Sequence, residues 1–190
     1  MSTQSKTFLT PEQYLEIERK AEFKSEYYNG EMFAMSGARA GHNSLVWNLV
    51  SGLGSQLRGG PCRGYSNDMR VRVSATGLYT YPDLVIVCGE PQFLDETRDT
   101  LLNPTLIVEV LSPSTESYDR GRKFDHYQSV PSLQQYVLVS ADRMHVDWYT
   151  RQVKAPWLYA SAGKPEESID LDSIGCRLQL ADLYEGVDLA

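Results

Sequence analysis

The chain has 190 residues, of which 42% are hydrophobic and 23% charged, a size and balance that suit a single globular domain and exclude disordered and fibrous classes. Its net charge is -7, with a pI near 5.0. That is the wrong sign for a protein that coats nucleic acid indiscriminately, although a local Arg/Lys cluster can still hold phosphate.

No apolar run approaches the ~20 residues that span a bilayer, and Met1-Ser2-Thr3-Gln4-Ser5-Lys6 lacks a signal-peptide core. The expected compartment is therefore the cytoplasm, with no membrane partner. Three widely separated cysteines, Cys62, Cys88 and Cys176, have no metal-ligand spacing, and their odd number suits reduced thiols better than a disulfide framework.

In chain order, Thr10-Pro11-Glu12-Gln13 reads as a capped helix start, with a short helix from Pro11 to about Ala21. Tyr27-Tyr28-Asn29-Gly30-Glu31-Met32 predicts a hairpin, because Asn-Gly suits a two-residue turn between strands. Leu45, Val46, Leu49, Val50, Leu53 and Leu57 recur at threes and fours, predicting an amphipathic helix from His42 to Leu57. Strands are expected at Met69–Val73, Leu84–Val87 and Thr105–Leu111, with a polar surface excursion from Gly89 to Asn103. A helix from Ser117 to Gln128 stops before Pro131, and strands follow at 135–139, 145–149, 157–160 and 168–171, then a short helix at 180–184. The pattern is α/β, with a mostly consecutive, antiparallel-rich mixed sheet.

The most informative segment is Leu106-Ile107-Val108-Glu109-Val110-Leu111, where a carboxylate interrupts an otherwise apolar strand. A buried charge needs a partner, either a structural Arg or Lys or a metal ion. Asp83 enters the strand after Tyr81-Pro82, and antiparallel pairing of the two strands sets it beside Glu109. Two such oxygen ligands suit magnesium (Mg2+), with manganese (Mn2+) as an alternative ion. Metal-assisted phosphodiester hydrolysis also benefits from a lysine, and Lys123 on the following helix has the reach, although Asp119-Arg120-Gly121-Arg122-Lys123 also reads as a solvated helix face. That run and Met69-Arg70-Val71-Arg72 are the candidate phosphate-holding clusters. His42 either touches phosphate or starts its helix; Asp68 is a strand-start acid or a support for the site; Ser112, Ser114 and Thr115 read as helix caps.

Tyr79-Thr80-Tyr81-Pro82-Asp83-Leu84-Val85-Ile86-Val87-Cys88, the stretch from Asn103 to Thr115, Asp119-Arg120-Gly121-Arg122-Lys123-Phe124 and Tyr127, with Glu26 to Glu31 and His42-Asn43, resemble the Uma2 family of restriction-endonuclease-like proteins. The resemblance covers nearly the whole chain. It implies the PD-(D/E)XK nuclease fold: a central mixed sheet flanked by helices, with a metal site at a strand end and extra C-terminal strands here. It further implies Asp83 and Glu109 as metal ligands, Lys123 as a lysine moved from the usual place, held here by Leu111, and an N-terminal acid, Glu26 or else Glu31. The expected activity is magnesium-dependent endonucleolytic cleavage of nucleic acid, DNA being the expected substrate, by an enzyme for which a two-fold dimer is natural. The alternatives are a non-cutting nucleic-acid- or protein-binding module on the same scaffold, and a two-carboxylate glycosidase.

Overall fold

The computed structural model describes residues 8–189, so the opening segment read above, residues 1–6, lies outside it. Helix α1 (Pro11–Glu18) starts as expected: the Gln13 N–H donates to Thr10 Oγ1, the Thr10 N–H to Gln13 Oε1, and Pro11 takes the first turn. It ends short of Ala21.

Strands β1 (Ser25–Tyr28) and β2 (Glu31–Ala34) form the predicted hairpin, with Tyr28 opposite Glu31. Asn29 and Gly30 both have positive φ, 49° and 85°, as a turn matched to strand twist requires. Helix α2 (Ala40–Leu57) begins two residues before the predicted start and buries Leu45, Leu49 and Leu53.

A six-stranded sheet forms the centre, in the order β11 (Ala155–Ala162), β10 (Val146–Gln152), β9 (Gln135–Ser140), β8 (Leu106–Leu111), β6 (Leu84–Cys88), β3 (Cys62–Ser66). Only β8 and β9 pair in parallel; the other neighbours are antiparallel. Alternate residues of the middle strands face opposite sides. Leu84, Ile86, Leu106, Val108 and Val110 pack toward α2 and the C-terminal elements. Val85, Val87, Ile107 and Leu111 pack toward Phe124 and Tyr127. Both faces are covered, which is why these strands read as unbroken apolar runs.

A second sheet, ordered β2, β1, β5 (Leu78–Thr80), β4 (Arg70–Val73), β7 (Thr100–Leu101), lies beside the first. The chain passes from β5 to β6 through Tyr81-Pro82-Asp83, so Pro82 stands between the sheets and costs no ladder bond. The predicted surface excursion at 89–103 is only partly one, because buried Thr100 and Leu101 pair parallel with β4. A continuous helical segment, α3 (Glu116–Tyr118), a π-turn (Asp119–Lys123) and α4 (Phe124–Gln128), replaces the single helix expected from 117. The hairpin β12 (Ser168–Leu171) and β13 (Cys176–Gln179) and the short α5 (Leu180–Leu183) close the C-terminal side. No helix among the described residues is long and apolar enough to cross a membrane.

The cysteine expectation is corrected. Cys62 and Cys88 stand opposite each other in the β3–β6 ladder and are disulfide-bonded, leaving Cys176 free and buried. Sequence spacing could not show this, because the pair meets only through strand register. Closing 26 residues of sequence should be worth about 3–4 kcal/mol by loop entropy. Dithiothreitol should therefore lower the melting temperature by roughly 10 °C for a chain of this size; an unchanged melt would mean that the bond carries no stability.

Candidate active site

Strands β6 and β8 pair antiparallel with Leu84 opposite Val108, and continuing that register by one residue sets Asp83 opposite Glu109. Asp83 Oδ2 accepts the Val110 N–H at 2.7 Å, which pins the carboxylate to the neighbouring strand. Glu109 shares its face with Ile107 and Leu111, so it points at the helical segment on that side.

That segment supplies the cation. Asp119, Lys123 and Tyr127 are spaced four apart and turn inward together through the π-turn. Lys123 Nζ lies 2.9 Å from Glu109 Oε1, 3.2 Å from Glu26 Oε1 and 3.4 Å from Asp119 Oδ1. Tyr127 donates its hydroxyl to Glu109 Oε1 at 2.9 Å, and Tyr136 donates to the Asp119 carbonyl at 3.0 Å. Glu26 arrives from β1 and accepts the Thr80 hydroxyl. His42, in the first turn of α2, places Nε2 3.4 Å from Asp83 Oδ2.

One ammonium thus serves three carboxylates, with a fourth, Asp83, close enough to act on Glu109. Burial pushes Glu109 up to about 8, the charges of Asp119 and Asp83 adding to it against the pull of Lys123. Asp119 is raised as well, chiefly by burial. For Lys123, burial acts to lower the pKa, but Glu109 and the other surrounding groups outweigh it and hold the ammonium charged. Burial alone would lower His42, yet the facing Asp83 raises it. Two causes act together: burial drives Glu109 and Asp119 up, and the carboxylates, which outnumber the cations here, raise Lys123 and His42 against the pull of burial.

Two of its carboxylates have oxygens to spare. The contacts to Glu109 converge on Oε1 and those to Asp83 on Oδ2, and among the described residues no hydrogen bond reaches Glu109 Oε2 or Asp83 Oδ1. Among the described residues no three His, Cys, Asp or Glu side chains form a metal cage. The donor set fits instead a hard divalent ion of the magnesium kind, which takes one or two carboxylates and completes its shell with water and phosphate.

Residues 11–181 match the model of the Uma2 family, described as "Putative restriction endonuclease". The chain belongs to the Uma2 family. Two relatives from Synechocystis sp., both described as uncharacterized, are each 35% identical, one over 94% of this chain and 93% of its own length, the other over 79% and 85%. A crystal structure described as "a putative nuclease belonging to DUF820", from Anabaena variabilis, superposes with a TM-score of 0.77 at 19% identity, covering 93% of this chain and 98% of that one. At that identity the likeness is one of fold, a central mixed sheet with flanking helices.

Within this Uma2 chain, Glu26, Asp83, Glu109, Lys123 and His42 come together. Glu31 stands on the same hairpin face as Glu26, opposite Tyr28 at the turn. Asp68 does not join them: its side chain is 85% exposed and pairs with Lys24 at 3.0 Å. Nor is Arg70 available to phosphate, since it is buried, donates to the Tyr81 hydroxyl and faces Asp99. The 119–123 run is not simply a solvated face either, because Asp119 and Lys123 are buried while Arg122 is exposed. Asp119, Tyr127 and Thr80 were missed; the four-residue spacing of Asp119, Lys123 and Tyr127 was the available signal.

Proposed function

We propose that this Uma2 protein is a magnesium-dependent nuclease that hydrolyses phosphodiester bonds, with DNA as its substrate. The observation that carries the reading is the buried Lys123 ammonium 2.9 Å from Glu109, with Asp83 opposite Glu109 on the adjacent strand. Asp83 and Glu109 would hold the ion, which when bound would supply a Lewis acid at the phosphate and a lowered pKa for an attacking water. Val110 fixes Asp83 through its N–H, and Tyr127 fixes Glu109. Such supporting bonds typically matter 10–100-fold for metal affinity. Lys123 would hold positive charge where negative charge grows on the scissile phosphate, and His42, 3.4 Å from Asp83, offers a second donor.

Calorimetric titration of the purified protein with magnesium tests this reading, run in parallel on the Asp83→Ala, Glu109→Ala double variant. Wild type should bind and the variant should not. The pH dependence has a definite sign. Below about 8 Glu109 is protonated in the free protein and must release its proton to ligate. Apparent affinity should therefore climb about tenfold per pH unit from 6 to 8 and level off above. Absence of binding in wild type would make Lys123–Glu109 a structural ion pair and the chain a non-cutting binding module.

A further inference from the structure

We infer that Tyr28 and Phe33 form a base-stacking rim on this site, and that the nucleic acid it accepts is single-stranded or locally unpaired; this rests on the nuclease reading above. Glu26 lies opposite Phe33 and Tyr28 opposite Glu31, so these four side chains share one face of the hairpin. The other face carries Tyr27, which is buried against Tyr14 and Tyr79. The Glu26 face is the one turned to Lys123, at 3.2 Å. Phe33 is 50% exposed and Tyr28 39% exposed, directly beside the cluster of acids. Tyr28 sets its ring edge-on to His126 at 4.7 Å, and His126 lies one helical turn beyond Lys123. Among the described residues no aromatic ring or cation packs on Phe33.

A chain of net charge -7 has no general attraction for the phosphates of a duplex, and only local cations can hold them. Arg70, the buried cation of β4, is engaged by Tyr81 and Asp99. With exposed Arg122 left of the two candidate clusters, uncharged contacts have to add to the affinity, and the uncharged part of a nucleotide is its base. Exposed rings bind unpaired bases of any sequence face to face, whereas a paired duplex offers no base face to a ring at its flank. A base stacked on Phe33 or Tyr28 delivers its phosphate toward Lys123, the site's buried cation, and Glu109.

Fluorescence anisotropy with a labelled 20-nucleotide single strand and its matching duplex, in calcium rather than magnesium, tests the inference on wild type, Phe33→Ala, Phe33→Leu, Phe33→Trp and Tyr28→Ala. Wild type should prefer the single strand. Each alanine should weaken single-strand binding roughly tenfold, the order of one base–aromatic stack, and leave duplex binding unchanged. Phe33→Trp should retain affinity, and Phe33→Leu, which keeps apolar bulk without a ring, should not. Because Phe33 is exposed, unchanged melts would confirm that the variants fold. Equal affinity for both forms, or wild-type behaviour of Phe33→Leu, overturns the inference and leaves the nuclease reading standing. Binding of neither form by wild type overturns both.

Discussion

Changing Glu109 to glutamine should lower magnesium-dependent cleavage about a thousandfold while the protein stays folded. The amide keeps the shape of the carboxyl and its bond to Tyr127, but loses the charge that would hold the ion. Metal assistance contributes several kcal/mol to such a transition state, and about 4 kcal/mol corresponds to a factor near a thousand. Folding survives because Lys123 keeps Glu26 and Asp119 as partners. Asp83→Asn should behave alike, and Asp68→Asn should cleave normally, since Asp68 only pairs with Lys24 at the surface. A single-stranded DNA circle and a supercoiled plasmid, each with magnesium and followed on a gel, read all three. Normal cleavage by Glu109→Gln would end the proposed role of this strand-end acid.

What the sequence disclosed of the fold was its local physics. Thr10 and Gln13 cap α1, Asn29-Gly30 turns the hairpin, and the apolar stripe of α2 fixes its inward face, each within a few residues of its signal. The missed strands are those whose order comes from elsewhere. β3 carries Gly64 and little apolar patterning, and it is a strand because β6 pairs with it and a disulfide ties it there. β7 has only two residues, held by a parallel partner. The division into two sheets at Pro82 depends on pairing between distant segments, which periodicity does not encode.

The site was legible where a residue violated its surroundings. Glu109 inside an apolar strand demanded a partner, and Asp83 followed from antiparallel pairing. Lys123 reads equally as part of a solvated face, because a run of charges hides which member turns inward. The π-turn settles that, burying Asp119 and Lys123 and leaving Arg122 in water. Glu26 was reachable only through family resemblance, since its approach depends on the β1–β5 pairing.

Lys123→Ala should be among the most damaging single changes to stability, costing about 3–5 kcal/mol and roughly 10 °C in melting temperature, because it leaves buried acids without their shared cation. The loss should depend on pH in a fixed direction. Glu109 already titrates near 8 with the lysine present, far above its ordinary 4.5, and without the lysine it rises further. A folded-state pKa above the unfolded one means that the protonated carboxyl favours folding, and that this contribution disappears as pH rises. The variant should therefore lie closest to wild type near pH 6 and fall furthest behind above pH 8. At the high-pH end, where Glu109 ionises, adding Glu109→Gln removes the orphaned charge and should recover much of the loss, so thermal melts of both single variants and the double above pH 8 give the coupling directly. Magnesium should also stabilise Lys123→Ala more than wild type, since the ion then meets carboxylates that no ammonium shares. A Lys123→Ala melt within a degree of wild type at pH 9 would mean that the acids do not depend on this lysine, and the charge-deficit account of the pocket would fall with it.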